Sequence, residues 1–131
     1  MSVLDASLLT DALIGAGQQG DAAVARVTAT SAWHAPHLLP AEVASAVRGL
    51  LAAGQISSPV AAAALDRLRQ TRIRLHAFDP FAERVWELRA NATVYDAWYI
   101  ALAERLDVAL VTRDPKLQNV PGVRCPVEVV P

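Results

Sequence analysis

The stretch from Tyr95 to Asp114, YDAWYIALAERLDVALVTRD, constrains this chain more than any other. It places Asp96 in the first turn of a helix, where the helix dipole favours a carboxylate. It places Asp114 just beyond a short apolar run, Val108 to Val111. Runs of that length suit a strand buried on both faces, and Pro115 stops the strand from continuing. The helix is equally restrictive. Tyr99, Ile100 and Ala103 share the face of Asp96, and Trp98 and Leu102 make the opposite side apolar as well. A helix apolar nearly all round is a buried one. Trp98 and Leu102 must then be covered by the sheet or by a second subunit. A carboxylate in such company needs a cation or a hydrogen-bond network beside it.

The rest of the chain alternates strand and helix. Val3 and Leu4 form a strand leading into Asp5, and a helix runs from about Ser7 to Ile14. Gly15, Gly17 and Gly20 punctuate a loop, and a second helix spans about Asp21 to Thr30. A short strand covers Trp33 to Ala35. Pro40 opens a third helix that Gly54 closes. Ser58 caps a fourth, with Pro59 in its first turn, reaching about Gln70. Ile73, Leu75 and Ala77 alternate as a strand. Asp79 and Pro80 start a fifth helix with Phe81, Val85 and Leu88 on one face. The sixth helix spans Val94 to Arg105, a turn occupies Asp114 to Leu117, and a last strand covers Val127 to Val130. Such alternation predicts an α/β fold: a central parallel sheet with helices on both faces, in three layers.

Composition narrows the class. At 131 residues the chain fits one domain, 1–131, with one core. Its 53% hydrophobic and 19% charged residues argue against disorder. No apolar run reaches the 18 residues of a membrane span, and no basic-then-apolar leader opens the chain. Cys125 is the only cysteine, so no internal disulfide forms and a cytoplasmic setting is expected. A net charge of −1 gives no global pull on nucleic acid. Arg67, Arg69, Arg72 and Arg74 form the densest basic cluster, read as a solvated helix end or a local phosphate contact. No G-x-x-x-x-G-K or G-x-G-x-x-G cradle is present.

Four acids stand out, and each has an ordinary explanation. Asp5 could cap the first helix. Glu42 lies at the border of the stripe Leu39, Val43, Ala46, Val47 and Leu50. Asp96 follows Thr93 at capping-box spacing, and Asp114 could simply form a turn. Together they sit at strand and helix ends on one edge of a parallel sheet, where functional groups gather. A cluster of acids is what magnesium or manganese requires. Ser7 and Thr112, each two residues from an acid, could steady the carboxylates. The H-x-x-H pair His34 and His37 is a weaker, zinc-like candidate interrupted by Pro36.

The set V-L-D-A-S at 3–7, P-A-E-V-A-S-A-V at 40–47, V-Y-D-A-W-Y-I-A-L-A-E-R-L at 94–106 and L-V-T-R-D at 110–114 resembles PIN-domain nucleases over the whole chain. The nearest resemblance is to the VapC-type ribonuclease toxins of toxin–antitoxin pairs. It implies that Asp5, Glu42, Asp96 and Asp114 bind Mg²⁺ or Mn²⁺ and catalyse hydrolysis of RNA phosphodiesters, with Ser7 and Thr112 supporting them. It further implies a cognate antitoxin protein, a homodimer and no membrane. Some PIN domains carry another acid after the fourth; here Asn119 is the nearby polar residue. Two other readings stand beside this one. A PIN fold without activity could act as a binding module. A receiver-like phosphoacceptor domain would also gather acids at strand ends, although Ala6 rather than an acid follows Asp5 and the only lysine, Lys116, follows Pro115.

Overall fold

The computed structural model describes all 131 residues. Five short strands, β1 (Ser2–Leu4), β2 (Trp33–Pro36), β3 (Ile73–His76), β4 (Leu110–Thr112) and β5 (Val127–Val129), form one sheet in the order β3-β2-β1-β4-β5. Every pairing is parallel. Six α-helices fill the connections: α1 (Ala6–Ile14), α2 (Gly17–Thr28), α3 (Leu39–Ala52), α4 (Ser58–Gln70), α5 (Ala82–Glu87) and α6 (Val94–Leu106). The three-layer α/β/α arrangement expected from the alternation is what forms. α1 packs on α2, α3 and α4, whereas α5 packs on α6, which lies along β1, β2 and β4. From β1 the chain winds outward to β2 and β3, then crosses back to β4 and β5. That reversal puts a topological switch point between β1 and β4. The order also departs from the 2-1-3-4-5 of receiver domains, which removes that reading.

The core contains 27 buried hydrophobic residues, and α6 supplies six of them, including the fully buried Tyr99, Ile100 and Leu102. The all-round apolar helix is therefore explained within one chain. Leu102 is inside, and Trp98 is half-buried edge-to-face against Phe78, with ring centroids 5.2 Å apart. A second subunit is not needed to cover either. No helix is long and apolar enough to cross a membrane.

Several boundaries differ from the sequence reading, each for a physical reason. α2 begins at Gly17, so Gly20 lies inside a helix rather than in a loop. A Cβ at Gly20 would sit 2.5 Å from the carbonyl carbon of Gly15; the glycine serves a close approach between α1 and α2. Ser57, not Ser58, caps α4, accepting from the Val60 N–H at 3.4 Å. Asp79–Phe81 is a 3-10 turn, and α5 follows without a side-chain cap from Asp79. β4 starts two residues late, because Asp107 in the left-handed region ends α6 and the Val108 N–H still bonds to Ala103. The Arg67–Arg74 cluster is partly committed to structure: Arg67 donates to the Leu13 carbonyl and Arg69 pairs with Asp66.

One side-chain pair joins β2 to the edge strand β3. His34 Nδ1 lies 2.9 Å from His76 Nε2, so one ring donates and the other accepts. This replaces the H-x-x-H pairing: His34 meets His76, and His37 is exposed. Burial holds both titrations below the ordinary histidine value, and the surrounding positive groups add to it. These are Arg74 and the N-terminal amine for His34, and His34, Arg74 and His37 for His76. The unfolded chain therefore binds protons that the folded chain refuses, and stability falls as pH drops through the unfolded value of about 6.5. Thermal melting of the wild type and of His76→Asn should show this between roughly pH 7.5 and pH 5.5. The variant should lose less stability on acidification; parallel slopes would mean the pair does not couple folding to pH.

Candidate active site

The sheet register brings distant acids together. β1 and β4 are parallel neighbours, with Leu4 opposite Val111 and the Asp5 N–H bonded to the Val111 carbonyl at 3.0 Å. Asp5 therefore emerges beside Thr112, two residues before Asp114. α6 begins at the same edge and contributes Asp96, while α3 brings Glu42 from the far side. Asp5, Ser7, Glu42, Asp96 and Asp114 all line one open cavity of about 570 Å³. Thr112 lies fully buried beneath it.

Asp5 occupies the N-cap position of α1, yet its carboxylate caps nothing. Oδ2 instead accepts from the Ser7 and Thr112 hydroxyls, both at 2.6 Å. The hydroxyls are anchored in turn: Ser7 Oγ accepts from the Arg113 N–H at 3.1 Å, and Thr112 Oγ1 from the Asp114 N–H at 3.0 Å. This network fixes the Asp5 carboxylate, which is only 8% exposed, through Oδ2 alone. Asp114 keeps its ordinary role as well, since Oδ1 accepts from the Lys116 N–H at 2.9 Å and starts a 3-10 turn. Thr93 caps α6 through the Asp96 N–H at 3.1 Å.

Burial raises the Asp96 carboxyl above its usual range, and repulsion from Asp5 and then Asp114 adds to it, against a lowering contact with Thr93. Burial likewise raises Glu42. The Tyr99 hydroxyl, donating to Glu42 Oε1 at 2.7 Å, opposes that rise, and Asp5 and Asp96 reinforce it. Carboxylates crowded in this way gain from a shared cation.

Two contributors were missed in the sequence. Asp11 lines the cavity and pairs with Arg113, Nε to Oδ2 at 3.3 Å. Ser7, Thr10 and Asp11 fall at i, i+3 and i+4 on α1, a spacing that marks a shared face. Tyr99 was read only as a buried aromatic; its hydroxyl positions Glu42. Cys125 stays outside the site, and burial pushes its thiol up to about 11, which removes it as a nucleophile.

No group of three or more His, Cys, Asp or Glu side chains stands ready-made to hold a metal ion. The donor chemistry nevertheless suits a hard dication. The cavity offers carboxylate and hydroxyl oxygens and no nitrogen or sulfur side-chain ligand. Asp5 also has hydroxyl partners of the kind that orient metal ligands.

Comparison with known proteins agrees with this geometry. The model of the PIN domain matches residues 2–123. Ribonuclease VapC1 of Mycobacterium tuberculosis is 42% identical over 130 residues, covering 98% of this chain and 96% of that protein. Among solved structures, the Mycobacterium tuberculosis VapC20 toxin, described as sarcin-ricin loop cleaving, superposes with a TM-score of 0.72 at 15% identity, over 100% of both chains. VapBC2 from Rickettsia felis, bound to a promoter DNA fragment, gives 0.68 at 15% identity, over 99% of this chain and 98% of that one. With strands, helices and acids arranged as described, the chain belongs to the PIN domain family, among its VapC ribonucleases.

Proposed function

We propose that this cavity is the catalytic centre of a toxin ribonuclease that depends on Mg²⁺ or Mn²⁺, with Asp5, Glu42, Asp96 and Asp114 as the residues that hold the ion. The observation that carries this reading is the convergence of four carboxylates from four separate segments on a cavity with no basic side chain in its lining. Such a site repels a phosphodiester unless a cation intervenes. When bound, a divalent ion supplies charge neutralisation at the attacked phosphate and acidifies a water molecule. The chain's own part is to hold the oxygens in place. Ser7 and Thr112 hold Asp5, Tyr99 holds Glu42, and the Lys116 N–H holds Asp114. No side chain is required as a covalent nucleophile. A PIN fold serving only as a binding module would have no need of crowded, partly buried acids that repel one another.

Asp5→Asn and Asp96→Asn should each abolish metal-dependent cleavage of RNA while the protein stays folded. Without metal, Asp96→Asn should melt at a higher temperature than the wild type, because it removes a half-buried charge that Asp5 repels. Wild-type cleavage rates in Mg²⁺ for either variant would remove that residue from the site.

Thr112→Val keeps the volume but deletes the donor to Asp5 and the acceptor for the Asp114 N–H. We expect a loss of about 1–3 kcal/mol in stability and a fall of roughly 10- to 100-fold in Mg²⁺ affinity. Calorimetric titration and melting check both. An unchanged Mg²⁺ affinity would show that Asp5 does not need the hydroxyl.

As a toxin the protein requires an antitoxin, a small partner that covers the acidic cavity with an arginine or lysine. Assembly as a homodimer is part of this reading and rests on the family, since Trp98 and Leu102 are covered within one chain. Expression of the chain alone should slow growth of its host, and co-expression of the product of the adjacent reading frame should restore growth and block cleavage. Normal growth on expression alone, with no neighbouring product that binds, would leave a nuclease without the toxin role.

A further inference from the structure

The cavity lining accounts for a phosphate and for nothing else in a nucleotide. Its eleven residues include five carboxylates, and the only hydrophobic members are Ala6, Ala46 and Leu50. None presents a flat apolar face to a base. Immediately outside the lining stands Tyr95, 59% exposed, in the first turn of α6 and adjacent to Asp96. Its ring takes no part in the aromatic or cation–π contacts of the chain.

The placement of Tyr95 follows from helix geometry. Tyr95 and Tyr99 are four residues apart and therefore share one face of α6, about one turn of 5.4 Å from each other. Tyr99 is fully buried and donates to Glu42 inside the cavity. Side chains lean toward the helix N-terminus, so Tyr95 lies one turn further out on the face whose Tyr99 meets Glu42, next in sequence to the cavity-lining Asp96. The helix beneath is fixed by the Thr93 cap and by the fully buried Ala97. An exposed tyrosine ring on a fixed helix turn next to a phosphate site is a surface on which a base can stack.

We propose that Tyr95 is a substrate-positioning residue that stacks on the nucleobase next to the phosphate held at the acids. The proposal rests on the ribonuclease reading above. Its rival is a contact between two copies of the chain, for which Val94, 40% exposed beside it, would be a natural neighbour.

The test measures cleavage of an unstructured oligoribonucleotide in Mg²⁺ by the wild type, Tyr95→Ala and Tyr95→Phe, with Asp96→Asn as the inactive control. Tyr95→Ala should raise KM about ten- to hundredfold with a smaller effect on kcat, and Tyr95→Phe, which keeps the ring, should restore most of the loss. An oligoribonucleotide with an abasic residue beside the cleaved bond should impair the wild type as much as Tyr95→Ala impairs the intact substrate. The variant should not distinguish the two substrates. Equal KM values for the wild type and Tyr95→Ala, with both cleaving, would overturn the stacking role and leave the ribonuclease reading intact. No cleavage by the wild type would overturn the ribonuclease reading and the stacking role with it. If sedimentation shows a smaller assembly for Tyr95→Ala, and higher protein concentration restores its cleavage, the residue belongs to a contact between copies and the proposal fails.

Discussion

The Asp5 carboxylate, held beneath the cavity by two hydroxyls, is the interaction on which the site depends. It exists because β1 and β4 pair in parallel across the reversal of strand order. That pairing sets the end of one strand against the end of another more than a hundred residues away. Thr112 reaches Asp5 only because Leu4 is opposite Val111. A shift of one residue would turn Thr112 to the other face of the sheet and leave a buried carboxylate without its donor. The same hydroxyls accept from the Arg113 and Asp114 N–H groups, so the backbone after β4 and the carboxylate after β1 are fixed as one unit.

Around that unit the structure tolerates unfavourable electrostatics. Burial and mutual repulsion raise both Glu42 and Asp96, and only Tyr99 and Thr93 act in the other direction. Stability lost here is offset elsewhere. α6 buries six residues in the core, and Arg113 ties the site edge to Asp11 and to the carbonyl of Pro131. Arg84 bridges Glu104 and the Gly122 carbonyl, anchoring α5, α6 and the segment before β5. Outside the site only the Trp98 indole N–H is buried without a partner, and groups that repel one another on such a scaffold are the usual mark of chemistry rather than of folding.

The layered fold was legible because its signals are local. Short apolar runs and helical stripes depend on nearest neighbours, and they placed all five strands and six helices to within a few residues. The errors fell where a distant contact decides. Gly20 read as a loop glycine because nothing near it in sequence announces Gly15. The weak H-x-x-H reading of His34 could not anticipate His76, because β3, which supplies it, is forty residues away. Trp98 and Leu102 were expected inside on periodicity alone, but only the packed chain shows that a second subunit is not what covers them.

For the site, residue type and position at strand and helix ends made Asp5, Glu42, Asp96 and Asp114 candidates, with Ser7 and Thr112 beside them, and the resemblance to PIN-domain nucleases joined them into one set. Sequence determined that these acids exist at one edge of a parallel sheet, because strand direction and helix starts are set by short stretches of chain. Tertiary structure alone decided that Asp5 faces two hydroxyls instead of capping its helix, that Tyr99 holds Glu42, and that Asp11 joins the lining. Those outcomes depend on register and side-chain direction between segments far apart in the chain. Spacing along a sequence carries no information about either until the strands have paired.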